Sequence, residues 1–447
     1  MSKTVYYNEP QIRRIILKHI FSCIVLTIAL FINFPNPSIQ ANPVESTIRV
    51  GILSNQQNIS VSADAHIQIL NAATGELVAR LRAGEKGTIT VSKNRISING
   101  KQAAAVKLNL LVLKNDGEHS IEINKKKYRG SIGIHMTHGK TGLTVVNTLP
   151  IEQYLYGVIA KEISPKWPLE AVKAQAVAAR SYALYNLNKH QVDEYDVCVT
   201  TDCQVYGGQD SEAPEVIKAV DDTSGQVIMA QGKIIPAYFH SSSGGYTENS
   251  ENVWGTYQSY LRGVVDYDHN SPQFKWEKRL TTYELQEAIN KAGYKIGTLK
   301  TIELVPLTSQ PMSTVERGVS GRVKVIRFIG STGSAQLTGE KMRKILQLKS
   351  TLFDISIMRP AKEVVEFDTN VPPQYKRGFS TDKKGIHSAT GRQGEIIIIT
   401  GFGFGHGLGL SQWGAKAMAE KGPKGDTTYF KEILKHYYQG TAIKKVF

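Results

Sequence analysis

Glycine occupies every second position from 401 to 409, within the stretch GFGFGHGLGLSQWGA. Alternate residues of a strand share one face, so this spacing predicts a bare face opposite a face that carries Phe402, Phe404 and His406. Glycine destabilises a strand interior because it loses the most backbone entropy and packs no side chain. We therefore expect another group, either a second part of the chain or a ligand, to approach the bare face closely.

The N-terminal residues have the pattern of an export signal. The basic residues Arg13, Arg14 and Lys18 precede an apolar run over 21–34, and a small-residue exit ends at Ala41. The apolar run is short for a membrane span. We therefore predict that residues 1–41 are either a cleaved signal peptide or a retained N-terminal anchor. Both alternatives predict an extracytoplasmic body, in the periplasm, in the cell wall or secreted.

The chain is basic, with a formal net charge of +15 over 447 residues. In an extracytoplasmic compartment, positive charge suits the carboxylates and phosphates of a cell wall, and nucleic acid is not an expected partner. Membrane contact is expected only through an uncleaved N-terminus. Charge that serves solubility alone is the simpler alternative. The length is enough for two or three domains.

The pattern of apolar residues predicts an α+β fold. A β-rich N-terminal region covers residues 46–130, where short alternating runs are separated by turn residues. A mixed α+β catalytic domain is predicted over 131–447. Within it, helix and strand patterns over 281–352 indicate an inserted module. The polar, turn-rich segment 361–394 is predicted to be a flexible insertion.

Two helices are clearly predicted. One begins after Pro168, and a second begins after Ser411, a good N-cap, and ends at Gly422. The first has a helically spaced apolar stripe made of Val172, Ala176, Ala179, Ala183 and Leu187.

Glu162 is the first candidate for chemistry. It lies between an apolar segment and the sequence PKWP at 165–168. Desolvation by Ile163 and Trp167 would raise the pKa of its carboxyl and make it a general acid near neutral pH. The alternative is a surface glutamate before a helix.

The segment HSSSGG at 240–245 is the second candidate, because its hydroxyl groups and glycines suit a loop that binds polar ligands. A serine nucleophile is disfavoured, since the chain lacks a G-x-S-x-G elbow. A turn with capping serines is the alternative. The later glycine stretch is a weak dinucleotide signal, because only one helix and the chain end follow it. There, His406 could present its imidazole into a cleft.

The third candidate is a cysteine pair. Cys198 and Cys203 stand five residues apart, with His190 upstream and Asp202 next to Cys203. Two thiolates, an imidazole and a carboxylate suit tetrahedral zinc, whereas an oxidising compartment equally suits a disulfide. A zinc hydrolase is accordingly one functional hypothesis for this chain.

Five blocks of the sequence, in order, resemble the stage II sporulation protein D family, also called the amidase-enhancer family. The resemblance covers most of residues 130–447, but it does not explain the β-rich region or residues 361–394. The blocks are YLYGVIAKEISPKWPLEAVKAQAVAARSYAL, DVCVTTDCQVYGG, AYFHSSSGGYTENSENVWG, GFGFGHGLGLSQWGA and ILKHYYQGT.

The resemblance implies a lytic transglycosylase that cuts peptidoglycan glycan strands between N-acetylmuramic acid and N-acetylglucosamine, with Glu162 as acid/base and no required cofactor. Other members are described as enhancers of wall amidases, so a non-catalytic wall-binding partner of an N-acetylmuramoyl-L-alanine amidase is the alternative. The residues expected to bind the substrate are Asn147, Arg180, Gln204, His240, Ser241, Ser243, His406 and Gln412.

The resemblance also bears on the cysteines and the glycines. Some members bind zinc through two cysteines and two histidines, but Asp202 stands where a histidine often precedes the second cysteine. This difference favours a Cys198–Cys203 disulfide and leaves a structural zinc as the alternative. The glycine face would admit a glycan chain, or the helix with Ala176 and Ala179, unless it only permits tight internal packing.

Overall fold

The computed structural model describes residues 46–113, 119–312, 314–359, 379–380, 385–390 and 394–447. Strands and helices are mixed in these ranges, and every described element that ends by residue 150 is a strand, which confirms the predicted α+β class. The predicted export segment at 1–41 lies outside the described residues. Within the described ranges, no helix has the length and apolar character needed to cross a membrane.

The largest sheet has seven strands and is built from segments on both sides of residue 130. Alternate residues of its first strand are buried, as expected when one face packs on a core. An antiparallel pair places Ile48 opposite Leu149. The strands, in order across the sheet, are Val197–Cys198, Thr47–Gln56, Leu143–Pro150, Ser131–Met136, Lys107–Val112, Ile67–Asn71 and Leu77–Leu81.

A six-stranded sheet shares its hydrophobic core with the first sheet. Ile59, Val61 and Ile89 from this sheet and Ile48 from the first belong to one buried cluster. Its strands, in order, are Lys126–Tyr128, Ile121–Ile123, Asn58–Ala63, Gly87–Ser92, Arg95–Ile98 and Lys101–Gln102.

The predicted division between 46–130 and 131–447 does not coincide with a structural boundary. Strand Ser131–Met136 pairs with Lys107–Val112, and Ile132 lies opposite Leu110. Separation at residue 130 would leave the backbone groups of paired strands without partners and would expose their apolar faces. The β-rich region therefore forms part of the same core as the helices that follow.

The Leu169–Tyr185 helix lies between two cores. As predicted, it begins after Pro168. The predicted stripe packs on the core of the two sheets, although Leu187, its last member, lies beyond the helix end. Ala174 and Val177, on another face, pack on a second core together with the Phe430–Tyr437 helix. Small side chains permit close neighbours on both sides. The other helices near these cores are Ile151–Glu162, Pro214–Asp222, Ser250–Trp254, Gln412–Lys421 and Phe430–Tyr437.

The predicted helix after Ser411 is confirmed. Ser411 Oγ accepts a hydrogen bond from the Gly414 N–H at 3.2 Å, and the helix ends before Gly422. Two small sheets adjoin this part of the chain. One contains Lys233–Ile234, Gln226–Ala230 and Ala442–Lys445, and the other contains Phe239–His240 and Leu410–Ser411.

A third core extends from Trp276 to Ile399, so the predicted module at 281–352 is too short. Lys275–Thr281 pairs with Ile396–Phe402, and this pairing brings both flanks into the module. The module has two four-stranded sheets. The strands of one, in order, are Lys275–Thr281, Ile396–Phe402, Phe353–Met358 and Phe379–Ser380, and those of the other are Ser334–Thr338, Val325–Gly330, Leu299–Glu303 and Ile386–Ser388. The helices of the module are Thr282–Lys291 and Gly339–Leu346.

The predicted flexible insertion at 361–394 lies largely outside the described residues. Two short pieces inside it are described, and both pair with strands of the module. Ser380 lies opposite Ile357, and His387 lies opposite Ile302.

The glycine stretch is not a strand with one bare face. The preceding strand ends at Phe402, and the glycines at 403, 405, 407 and 409 have φ values of 71°, 111°, 83° and 65°. Positive φ is readily available only to glycine, and it turns the chain out of the strand conformation. The groups that approach these glycines belong to the chain itself: the backbone at Ser242 and Tyr238, and the side chains of His240 and Arg322.

Arg180, on the Leu169–Tyr185 helix, is fully buried, and its partner Glu152 lies on the Ile151–Glu162 helix. Its guanidinium donates three hydrogen bonds to the Glu152 carboxylate, at 2.5 to 3.1 Å. It also donates to the carbonyl oxygens of Val220 and Gln226, both at 3.1 Å. These contacts hold the guanidinium inside the fold, and the Glu152 carboxylate compensates its buried positive charge.

We expect Arg180→Met to lower the free energy of unfolding by about 3–5 kcal/mol, because the Glu152 carboxylate would be left buried without its cation. Urea denaturation followed by circular dichroism measures this change. The matched control is Arg279→Met, which removes an exposed partner of Glu277 and should cost less than about 1 kcal/mol. An Arg180→Met protein as stable as the wild type would contradict this interpretation.

Candidate functional site

Glu162 is the last residue of the Ile151–Glu162 helix, which ends where Ile163 adopts an extended conformation. Its side chain is partly buried. The Gln412 amide donates from Nε2 to Glu162 Oε2 at 3.4 Å. Gln412 is the first residue of the Ser411-capped helix. Two helix ends that are 250 residues apart in sequence therefore meet at this carboxyl group.

Burial raises the pKa of the Glu162 carboxyl. Hydrogen bonds from the Gln412 amide and the Val205 backbone N–H offset part of this shift, because they favour the charged form. A carboxyl group in this setting keeps its proton closer to neutral pH than a solvent-exposed glutamate does. It can then donate the proton and, once charged, take one back.

Two tryptophans and a lysine lie on the two segments that meet at Glu162: Trp167 five residues after it, and Trp413 and Lys416 on the helix that begins with Gln412. The rings of Trp167 and Trp413 meet edge to face, with centroids 5.0 Å apart. Lys416 Nζ lies 5.2 Å from the Trp413 ring centroid. Trp413 follows Gln412 directly, so this aromatic and cationic group lies on the same two segments as the carboxyl group and its amide partner. Of these three residues, only Trp167 was named from the sequence, as a neighbour expected to desolvate Glu162.

His240 and His406 lie side by side, with ring centroids 5.3 Å apart. His240 Nδ1 donates to the Leu408 carbonyl oxygen at 3.2 Å, and His406 Nδ1 accepts from the Leu408 N–H at 3.0 Å. Burial, with a smaller contribution from the Arg322 charge, lowers the pKa of His406 to about 3. Burial also holds the pKa of His240 well below its usual range. Both imidazoles are therefore neutral at physiological pH.

Four rings form a continuous group that we call the aromatic row: Tyr182, Tyr238, Trp254 and His406. Centroid distances are 6.0 Å from Tyr182 to Tyr238, 4.5 Å from Tyr238 to Trp254 and 5.2 Å from Trp254 to His406. Only His406 was predicted from the sequence. The other three could not be distinguished from core aromatics, because their positions come from separate segments.

The predicted metal ligands are brought together. The ligand atoms of His190, Cys198, Asp202 and Cys203 all lie within 4.8 Å of one another. The structure does not join the cysteines by the expected disulfide: both thiols are free, and the sulfur atoms lie 2.9 Å apart, against about 2.05 Å for an S–S bond. In the sequence, Asp202 favoured the disulfide because it stands where a histidine ligand was expected. In the structure, its carboxylate is available as a fourth metal ligand. Two thiols, an imidazole and a carboxylate fit tetrahedral zinc.

Several predicted substrate-binding residues use their polar groups within the fold. Asn147 donates from Nδ2 to the carbonyl oxygens of Arg129 and Ser131 at 2.7 and 3.1 Å, and Gln204 Oε1 accepts from the Tyr154 hydroxyl at 3.2 Å. Ser243 Oγ donates to Asp266 Oδ2 at 2.5 Å. Those residues and Arg180 are buried. The structure therefore does not bring Asn147, Arg180, Gln204 or Ser243 to a surface that faces a substrate.

Ser241 is half-buried, and its carbonyl oxygen accepts from the Trp413 N–H at 3.1 Å. This bond ties the predicted polar loop to the helix that carries Gln412. Of the predicted residues, Glu162, Gln412, Ser241, His240 and His406 thus lie on connected segments.

Comparison with known proteins decides the family. A family model described as Stage II sporulation protein matches residues 139–229, which include Glu162 and both cysteines. An uncharacterised protein of Brachyspira hyodysenteriae is 32% identical over 357 residues, covering 80% of this chain and 82% of that protein. Stage II sporulation protein D of Bacillus subtilis is 28% identical, over 68% of this chain and 78% of that protein. The chain belongs to the stage II sporulation protein D family.

The family also includes a relative with another name. The amidase enhancer of Bacillus subtilis is 30% identical over 353 residues, which are 72% of this chain, and the chain spans 45% of that protein's length. A second family model, described as a domain of unknown function, matches residues 246–369 of this family member. That range contains Trp254 of the aromatic row and much of the module.

We expect Gln412→Leu to raise the pKa of Glu162 further, because it removes a donor that favours the carboxylate. A pH titration of protein labelled with 13C at the glutamate carboxyl carbon measures this pKa, and Glu162→Gln assigns the signal. The control is Gln336→Leu, an exposed strand residue of the module, which should leave the titration unchanged. A lower or unchanged Glu162 pKa in Gln412→Leu would show that the hydrogen bond does not tune this group.

Proposed function

We propose that this protein is an extracytoplasmic lytic transglycosylase that cleaves peptidoglycan glycan strands between N-acetylmuramic acid and N-acetylglucosamine. The observation that carries the proposal is Glu162, a partly buried carboxyl group with a raised pKa, which accepts a hydrogen bond from Gln412 where two distant helix ends meet. It lies inside the segment matched by the family model. Membership of a family with sporulation and amidase-enhancing relatives supports action on the cell wall.

The surroundings of Glu162 suit a reaction with one acid/base. Ordinary glycosidases pair two carboxylates about 5–9.5 Å apart. Burial raises the pKa of Glu162, the Gln412 amide and the Val205 N–H lower it, and no carboxylate of the described residues contributes to the shift. A lytic transglycosylase needs no second carboxylate, because its nucleophile is a hydroxyl group of the substrate.

The proposed reaction moves one proton out and one back. Glu162 protonates the glycosidic oxygen as the bond from C1 of the muramic acid breaks. The C6 hydroxyl of the same sugar then bonds to C1, and its proton passes to the Glu162 carboxylate. The products are a 1,6-anhydro-muramic end and a free N-acetylglucosamine hydroxyl, and no water is consumed. The Gln412 amide stabilises the carboxylate formed between the two transfers.

The alternative is a non-catalytic wall-binding protein that enhances an N-acetylmuramoyl-L-alanine amidase. The similarity to a protein named amidase enhancer favours this candidate. Under this alternative, the protein has an amidase as its partner, and the residues around Glu162 bind the glycan without cleaving it.

We expect Glu162→Gln to fold normally and to reduce the release of anhydro-muramic products from purified sacculi by ~100-fold or more, the usual effect of losing a general acid. Mass spectrometry of the soluble muropeptides measures the products. The matched control is Glu432→Gln, an exposed glutamate of the last helix, which should retain the wild-type rate.

The outcomes separate the candidates. A folded Glu162→Gln protein with the wild-type rate would place catalysis elsewhere. A wild-type protein that releases no anhydro product but increases cleavage by an added amidase would favour the enhancer. Products that carry oxygen from 18O-labelled water would indicate a hydrolase.

We further propose that His190, Cys198, Asp202 and Cys203 hold a structural zinc ion. When bound, the ion would crosslink the loop and add no chemistry to the glycan reaction. Cys203 precedes Gln204, whose side chain accepts a hydrogen bond from the Tyr154 hydroxyl. The ion would thereby fix the loop whose Val205 N–H bonds to Glu162.

We expect one zinc ion per chain in the dialysed wild-type protein and a large loss of zinc in Cys203→Ser, because two thiolates dominate the donor set. Elemental analysis measures the stoichiometry, and Asp193→Asn, a nearby acid outside the set, should keep the metal. Zinc-free protein with two alkylatable thiols would overturn both zinc and disulfide. Zinc-free protein without free thiols would restore the disulfide.

A further inference from the structure

Trp254 is a large apolar side chain that the fold leaves half exposed, at 46% of its surface. It ends the short Ser250–Trp254 helix, where Gly255 follows with φ of 78°. Its ring stands at 67° to Tyr238 and at 51° to His406. Unlike a singly exposed apolar residue, this ring continues a run of neighbouring rings, so its exposed face offers a ligand an extended aromatic surface.

A chain of contacts connects the aromatic row to Glu162. His240, which lies against His406, pairs in register with Ser411, and Gln412 follows Ser411 and donates to Glu162. At the other end of the row, the Tyr182 hydroxyl donates to the Asp202 carbonyl oxygen at 3.4 Å. The row therefore continues from the segments that form the Glu162 site.

The position of Trp254 is fixed by the buried carboxylate of Glu248. This carboxylate accepts from Asn252 Nδ2 at 2.8 Å, from the Val319 N–H at 3.0 Å and from Ser320 Oγ at 2.6 Å. The helix is thus tied to a loop of the module. Such a network holds an exposed ring in place without burying it, which is what a preorganised binding site requires.

The module also holds the two segments that present the histidines. Arg322 is buried, and its guanidinium donates to the carbonyl oxygen of Ser243 at 3.0 Å and to that of Gly405 at 3.1 Å. Burial lowers the pKa of Arg322 to about 10, so the group stays charged at neutral pH. Its charge in turn helps to keep His406 neutral.

We propose that the aromatic row is a saccharide-stacking subsite, and that the region matched by the domain of unknown function completes the glycan cleft by supplying Trp254. Pyranose rings present faces of C–H groups, which pack on aromatic rings, while their hydroxyl groups bond to polar edges. A neutral His406 serves such a surface better than a charged and hydrated one. The identity of the ligand as a glycan strand rests on the proposed function.

The test measures affinity in a Glu162→Gln background, where the glycan is bound without being cut. The probe is soluble N-acetylglucosamine–N-acetylmuramic acid strands freed of stem peptides, titrated by calorimetry. We expect Trp254→Ala to weaken the affinity about tenfold, in the range for losing a central aromatic contact, and Trp254→Phe to recover part of it. The control is Tyr283→Ala, an exposed aromatic of the same matched region on another helix, which should bind as the parent does.

The outcomes also separate this subsite from the catalytic proposal. In the otherwise wild-type protein, Trp254→Ala should raise KM and leave kcat unchanged, as for contacts kept through the reaction. If Trp254→Ala binds the strands as tightly as its parent, the subsite is overturned, even where Glu162→Gln abolishes product release. If the wild type proves inactive but Trp254→Ala still loses affinity, the subsite stands and the catalytic proposal fails. Strands that bind to no variant overturn both.

Discussion

The close contact between the glycine stretch and the 238–244 segment is the interaction on which the site depends. Ser242 and Phe404 exchange backbone hydrogen bonds at 3.1 and 2.7 Å, and the glycines at 403 to 409 leave no side chains between the segments. Arg322 fastens the two segments from the module side. This contact sets His406 beside His240 and delivers Gln412 to Glu162. A side chain at these glycines would meet both steric conflict and an unfavourable positive φ.

The environment of Glu162 follows from that arrangement. Its helix packs on the large sheet, while its hydrogen-bonding partner arrives from a helix near the C-terminus, so the carboxyl group is enclosed by elements far apart in sequence. Enclosure raises the pKa, and the two donors limit the rise. The group is thus tuned between a permanently charged surface glutamate and a fully buried acid, the range in which one residue can both give and accept a proton.

The module has a structural consequence for the rest of the protein. Glu248 and Arg322 are buried charged groups whose hydrogen bonds run between the module and the segments around the site. Such networks constrain geometry strongly because leaving any member unpaired is costly. The same physics explains why several polar residues expected at a substrate surface, such as Arg180 and Asn147, lie in the interior. There, each satisfies a partner that the fold has buried.

Local sequence determined much of the secondary structure and singled out Glu162 as the leading candidate for the site. The Pro168 start, the alanine-rich stripe and the Ser411 cap fix their helices through local sterics, helical spacing and backbone hydrogen bonds. The order of the five sequence blocks pointed to the family without any structure. Sheet pairing across residue 130, the true extent of the module and the aromatic row were decided only in three dimensions. They depend on contacts between distant segments, which spacing cannot encode. The glycine pattern shows the difference: its period suggested a strand, but φ and the neighbouring chain decided a tightly packed turn.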